Sequence, residues 1–227
     1  MRMRARAERQ AEAGLAPGVL GLGDGFLALA PVAGRPASPG DLGPALVEAM
    51  ARHVAALAHE EAGPARAADL LAMTRQNLPE AAGASWLDDQ GAVAATRPAI
   101  RGDGRMLPHE WLLADGAPLK ADGLDHHDDH FWPGAQDPAW DLAGAMEEWG
   151  MDGGARAALL DRYVALTGDR DVARVLPLNR VAYLAWRLGY ATLSAETLGD
   201  APDGPAMAAL RDRLAARARV ALAEGPP

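Results

Sequence analysis

The stretch DPAWDLA, residues 137–143, decides how this chain is read. Asp137 ahead of Pro138 has the chemistry of a helix start. Its side-chain oxygen can take a free amide of the first turn, and proline in that turn lacks only an N–H that would be unsatisfied anyway. A helix is therefore expected near 138–149. Immediately upstream, LDHHDDHFWPGAQ (124–136) crowds His126, His127 and His130 among Asp125, Asp128 and Asp129. A carboxylate at a strand end, as Asp125 reads, is where a hard cation that keeps several waters is held by one or two protein ligands. The histidines and aspartates together could offer N and O ligands to Zn, Ni or Fe. Neighbouring residues on an extended chain point to opposite faces, however, so a polar loop is the plainer reading of HHDDH. Trp132 and Trp140 read as packing beneath that loop.

Downstream of this stretch the pattern is helical, with helices expected near 153–166, 170–188, 190–198 and 204–223. Arg180, Tyr183, Trp186, Arg187 and Tyr190 recur at core-packing spacing in that half. The pair Glu147–Glu148 reads as a solvated helix face that could also draw a cationic ligand. Upstream, residues 83–125 break into short apolar runs between Gly, Asp and Pro, which suggests strands and turns. LLADGAPLKADGLD is expected to be a hairpin turning at Asp115–Gly116. Earlier still, Ser38–Pro39 opens a helical region, with a helix over about 44–61 carried by Leu46, Val47, Met50, Val54 and Leu57, and a shorter one over 65–76. GVLGLGDGFLALAPVAG (18–34) reads as two short strands around Gly23–Asp24–Gly25, and residues 3–13 as an Arg- and Ala-rich helix with a solvated face. The fold class is thus α+β, mostly α.

Composition narrows the function. The 227 residues suffice for a sizeable core, and 49% hydrophobic with 23% charged residues is ordinary for a globular protein. A net charge of −9 argues against a general nucleic-acid or anionic-membrane binder. With no cysteine there is no disulfide, thiolate metal site or Cys nucleophile. No apolar run approaches the roughly 20 residues that span a bilayer, and Pro17, Gly21 and Gly25 interrupt any signal-peptide core, so a cytoplasmic protein is expected. Lys120 is the sole lysine, and the Arg, Ala and Gly bias suits a GC-rich bacterial genome.

The order of elements, with LDHH (124–127) and DPAWDLA (137–143) inside it, resembles the aminoglycoside phosphotransferase/choline kinase-like group of small-molecule kinases. The resemblance implies the C-terminal lobe of a protein kinase-like fold over 37–227. A remnant of the first lobe, with a short hinge strand pair, would occupy 1–36, the first lobe being otherwise largely absent. It also implies that the backbone of Phe26, Leu27, Ala28 and Leu29 in GFLALAPVAGRP (25–36) holds the adenine of ATP. Asp125 takes the place of a Mg²⁺ ligand, and Asp141 that of a buried aspartate bracing the catalytic loop.

That loop, H-G-D-x-x-x-x-N in the family, falls on Asp103–Gly104–Arg105 with its Asn at Glu110. Arg105 then stands where the family places the base, and a guanidinium does not give up its proton. Glu110 remains as a second metal ligand. Asp103, or Glu110 itself, is the carboxylate left near an acceptor hydroxyl, with His109 a further base by chemistry alone. The family also needs a lysine on a first-lobe strand, and none precedes Lys120. The expectation is either a start at an internal Met or loss of the ATP site. Two readings of function follow, with a small hydroxylated, cationic molecule as partner in the first. One is ATP- and Mg²⁺-dependent phosphoryl transfer to that molecule, given a complete first lobe; the other is a non-catalytic kinase-like (pseudokinase) binding protein. A weaker third is a metal-dependent hydrolase using the His/Asp loop.

Overall fold

The computed structural model describes residues 2–64, 66–124, 126 and 134–226. Among them are eight α-helices and three small antiparallel sheets, so the fold is mostly α as the patterning implied. Helix α1 (Arg2–Glu12) leads to a hairpin of β1 (Val19–Gly23) and β2 (Phe26–Leu29). Its turn is made at Asp24 and Gly25, which both take positive φ, 50° and 84°. Positive φ at both turn positions matches the twist of the paired strands. Strand β3 (Gly34–Pro36) follows, then α2 (Pro44–Leu57), β4 (Glu61–Pro64) and α3 (Ala67–Asn77).

Two expectations change in the next stretch. Trp86–Ala94, read as strand-like fragments, is a helix, α4. Leu87, Gln90, Gly91 and Ala94 are its buried face at i, i+3, i+4 and i+7, and Asp88–Asp89 sit in the first turn, where the helix dipole favours them. Gly91 reads as a breaker but is a contact: a Cβ there would lie 2.6 Å from Leu71 of α3. The helix expected to run to 61 stops at Leu57. Residues 61–64 instead pair with β5 (Pro98–Ile100).

The hairpin expected at Asp115–Gly116 is present as β6 (Trp111–Ala114) and β7 (Leu119–Lys120), with Trp111 opposite Lys120. Strand β3 pairs with the other edge of β6, Gly34 facing Ala114. Only glycine fits there, because a Cβ would stand 2.5 Å from the Leu113 carbonyl oxygen. The segment after the first hairpin is thereby tied to the strand that leaves the loop at 101–110.

The helical half holds α5 (Ala139–Glu148), α6 (Gly153–Thr167), α7 (Val172–Leu198) and α8 (Gly204–Glu224). Helices expected at 170–188 and 190–198 are one helix, α7. Gly189 does not break it but admits α3, since a Cβ would meet Asn77 at 2.5 Å. Pro177 lies inside α7, and the backbone amide of the next residue, Leu178, donates to the Gln90 side-chain oxygen at 2.8 Å instead. A proline removes one ladder bond and displaces the turn before it; Gln90 repairs the loss and docks α4. Helix α7 packs on α3, α4, α5 and α8. Every residue of α5 from Ala139 to Glu147 is buried, as befits a helix at the centre of the core. Its two buried carboxylates, Asp141 and Glu147, therefore need partners.

Candidate functional site

The loop between β5 and β6, residues 101–110, is clamped onto the start of α5. Asp137 opens that helix as its sequence implied, with Oδ1 accepting the Ala139 amide at 2.8 Å. Arg97 holds Asp137 in an ion pair and reaches Asp169 at 2.6 Å, tying the cap to α6's exit. One turn on, Asp141 accepts the Asp103 amide at 2.9 Å and the Gly104 amide at 2.8 Å, one to each carboxylate oxygen. The neighbouring Trp140 donates its indole N–H to the Gly104 carbonyl at 3.1 Å, and Trp149 donates to the Met106 carbonyl at 2.9 Å. Two glycines make the approach possible. A Cβ on Gly102 would lie 2.5 Å from Asp141 Oδ2, and Gly104 takes a φ of 92°. Burial, and then the nearby Asp103 charge, push the Asp141 carboxyl up, against the pull of its two amide donors.

Asp103 has no exposed surface, and both its oxygens are engaged. His53 Nε2, from α2, lies 2.8 Å from Oδ2 and His126 Nδ1 3.1 Å from Oδ1. Lys120 Nζ is 3.1 Å from Oδ2. Burial alone would raise the Asp103 carboxyl. The Lys120 charge and the two imidazole hydrogen bonds outweigh it and hold the group well below the usual carboxylate range. The effect is reciprocal on His126. Burial opposes its proton, but hydrogen bonds to Asp103 and Asp122 raise it from 6.5 to about 9. His53 also stands edge-on to Trp111, ring centroids 5.7 Å apart.

Glu110 is buried, and its Oε2 accepts from Lys120 Nζ at 2.9 Å; the ammonium also donates to the Asp122 carbonyl. Arg105 keeps 29% of its side chain exposed, with Nε 3.9 Å from Glu110 Oε1. His109 faces solvent. Of the expected site residues, Asp103 and Glu110 are thus brought together, but around Lys120. Phe26, Leu27, Ala28 and Leu29 form β2, which pairs with β1 alone among the described residues. Asp125 lies outside the described residues, as do His127, Asp128, Asp129, His130 and Trp132.

The site's other partners come from far along the chain. His53 is 50 positions from Asp103, and no local pattern marks it. Lys120 carries one signal, that of being the only lysine in an arginine-rich chain. Arg6 of α1, expected on a solvated face, is buried and donates to the Gly102 carbonyl at 3.2 Å. The acidic pair on α5 is not free to draw a cation. Glu147 Oε1 accepts from Arg180 at 2.8 Å, and Oε2 from Arg217 at 2.8 Å. Glu148 pairs with Arg187 at 2.7 Å and takes the Tyr183 hydroxyl at 2.9 Å. Tyr183 and Trp186 pack edge-on to Trp140 in the core, so Trp140 is structural as expected.

A cleft of about 640 Å³ between α2 and α6 has Leu42, Val47 and Trp149 as apolar lining, with Glu48, Asp152 and Arg162 as polar groups. It contains none of the loop's residues, so it is separate from the Asp103 cluster.

No protein-family model matches the chain, and no curated protein matches it in sequence. Solved structures do. A choline/ethanolamine kinase family protein from Mesorhizobium loti is 18% identical, with a TM-score of 0.65 over 97% of this chain and 77% of that one. A choline kinase from Streptococcus pneumoniae is 13% identical, with a TM-score of 0.64 over 97% and 79%. A glucosamine kinase, solved with glucosamine, ADP and inorganic phosphate, is 19% identical, with a TM-score of 0.61 over 100% and 68%. The fold is therefore that of the small-molecule kinases which the sequence resembled. Among the described residues no helix is long and apolar enough to cross a membrane.

Proposed function

We propose that the chain is a kinase-like binding protein for a nucleotide and a small hydroxylated molecule, one that does not turn over through a carboxylate base. The observation that carries this reading is the Asp141 clamp. It fastens the amides of Asp103 and Gly104, which supports the register in which Arg105, by the family resemblance, would stand at the base. A guanidinium there can bind an anion but cannot accept a hydroxyl proton. Asp103, the nearest carboxylate in sequence, is sealed from solvent and fully engaged. In this reading residues 1–36 are the remnant of a first lobe and 37–227 the helical lobe. The β2 backbone from Phe26 to Leu29 would take the adenine of ATP along the edge that β1 leaves free. Mg²⁺ on Glu110 does not suit the donor set, because the Lys120 ammonium already holds Glu110 Oε2.

Phosphoryl transfer is the second reading, and two considerations favour it. The similar structures are named as choline, ethanolamine and glucosamine kinases. Phosphoryl transfer also draws mostly on positioning and charge stabilisation. Losing a base then costs about 10²–10⁴-fold rather than everything. The two readings separate in one experiment: thermal shift with ATP, alongside ADP release in the presence of Mg²⁺ and choline, ethanolamine or glucosamine. The binding reading expects ATP to raise the melting temperature by mass action, without acceptor-dependent ADP release. Acceptor-dependent turnover by the wild-type chain would establish the second reading. No shift with ATP would remove the nucleotide from both.

A further inference from the structure

The environment of Lys120 is that of a bound cation. Its side chain is fully buried, and its ammonium has three protons to place. They meet three oxygens: Asp103 Oδ2 at 3.1 Å, Glu110 Oε2 at 2.9 Å, and the Asp122 carbonyl. All are oxygen donors, the set that hard divalent cations prefer. One ligand atom each from Asp103, Glu110 and His126 lies within 4.8 Å of the others, close enough to share a single ion.

We propose that the Lys120 ammonium is a tethered cation standing between Asp103 and Glu110 where a divalent ion would otherwise sit. Removing it converts Asp103, Glu110 and His126 into a divalent-metal site. The proposal deepens the binding reading above, and rests on it, by giving the reason why Glu110 does not take Mg²⁺ there.

The physical grounds are steric and electrostatic. Two buried carboxylates side by side repel and need a positive charge between them. Lys120 supplies it permanently, from a strand fixed by the Trp111–Lys120 pairing, so the loop keeps its shape without any cofactor. His126 Nδ1, 3.1 Å from Asp103 Oδ1, closes the cluster on its other side. A divalent ion entering this cluster would collide with the ammonium, which already lies against the oxygens the ion would need. With the ammonium gone, the two carboxylates would lose the positive charge between them, and a metal at about 2.0–2.6 Å from each could replace it.

The test uses Mn²⁺ alone, without nucleotide, so its outcome is independent of whether the chain binds ATP. Melting curves would be recorded with and without Mn²⁺ for wild type, Glu110→Gln, Lys120→Ala and Lys120→Ala/Glu110→Gln. Lys120→Met, which keeps the stem and removes the charge, serves if the alanine variant does not fold. Wild type is expected to show no Mn²⁺ effect that Glu110→Gln abolishes. The lysine variant is expected to melt lower and to regain about 5–10 °C at a hundredfold excess over Kd. The double variant should regain nothing. Either of two results overturns the proposal: a Glu110-dependent Mn²⁺ shift in wild type, or a folded lysine variant that Mn²⁺ leaves unchanged.

Discussion

The loop at 101–110 and the β1–β2 hairpin are both short, glycine-bearing segments that the sequence assigned to ligand binding, and they are built in opposite ways. The loop is buried at Gly102, Asp103, Gly104, Met106 and Glu110 and has its backbone taken up by α5. Asp141, Trp140 and Trp149 hold it at four points, with two imidazoles and an ammonium on Asp103. The hairpin stands out from the molecule, with Leu20 69% and Phe26 79% exposed and no third strand among the described residues. Two strands alone are marginally stable in water. One segment is therefore fixed by the core it joins, whereas the other depends on its turn. Substitutions should show that difference as a steep ranking of effects.

The largest effect belongs to Asp141→Ala. It strands two buried amides and opens a cavity beneath them, so a loss of about 3–5 kcal/mol is expected from the penalties for unmade buried hydrogen bonds. Urea unfolding would measure it; a change below about 1 kcal/mol would mean that the clamp does not hold the loop. Gly102→Ala comes next. Its Cβ would meet Asp141 Oδ2 at 2.5 Å, and overpacking of this kind costs about 1–3 kcal/mol. Gln90→Leu should follow at about 1–3 kcal/mol, because the Leu178 amide beside Pro177 loses its acceptor. Phe26→Ser on the hairpin should stay within about 0.5 kcal/mol, as exposed substitutions do. A hairpin substitution as costly as one in the loop would erase the contrast.

The loop should also be pH-sensitive where the hairpin is not. His126 has its pKa raised from 6.5 to about 9. Its contribution is complete below about 6.5 and disappears as pH rises through 9. The depressed Asp103 works in the other direction, contributing above the ordinary carboxylate pKa and losing that contribution as the pH falls towards its folded value. The raised Asp141 carboxyl partly offsets the acid limb, since protonating it favours the fold. Stability should accordingly fall between pH 7 and 9, and His126→Gln should flatten that fall. An alkaline limb unchanged in the variant would place its cause elsewhere.

What the sequence made legible follows the range of the interactions. Asp137–Pro138, the Asp115–Gly116 turn and the Asp24–Gly25 turn are local chemistry, and each stands where its residues pointed. Helix α4 was hidden because Asp88, Asp89 and Gly91 resemble turn residues, whereas the aspartates suit the first-turn dipole and Gly91 answers to Leu71 across the interface. Gly189 was misleading for the same reason, since the neighbour that requires a glycine is Asn77 of α3. Asp141 was legible only through resemblance to a family. Its physical need for the loop amides, and the approach of His53, Lys120 and Arg6, arise from pairings between distant segments that no periodicity encodes.

In the proposed arrangement the loop carries its own cation. Because Lys120 is the sole lysine, ¹⁵N-lysine labelling yields a single side-chain signal that reports on it directly. An ammonium buried against Asp103, Glu110 and the Asp122 carbonyl should give a slowly exchanging resonance, and millimolar Mg²⁺ should not move it. A rapidly exchanging, solvent-like signal, or one that Mg²⁺ displaces, would contradict the claim.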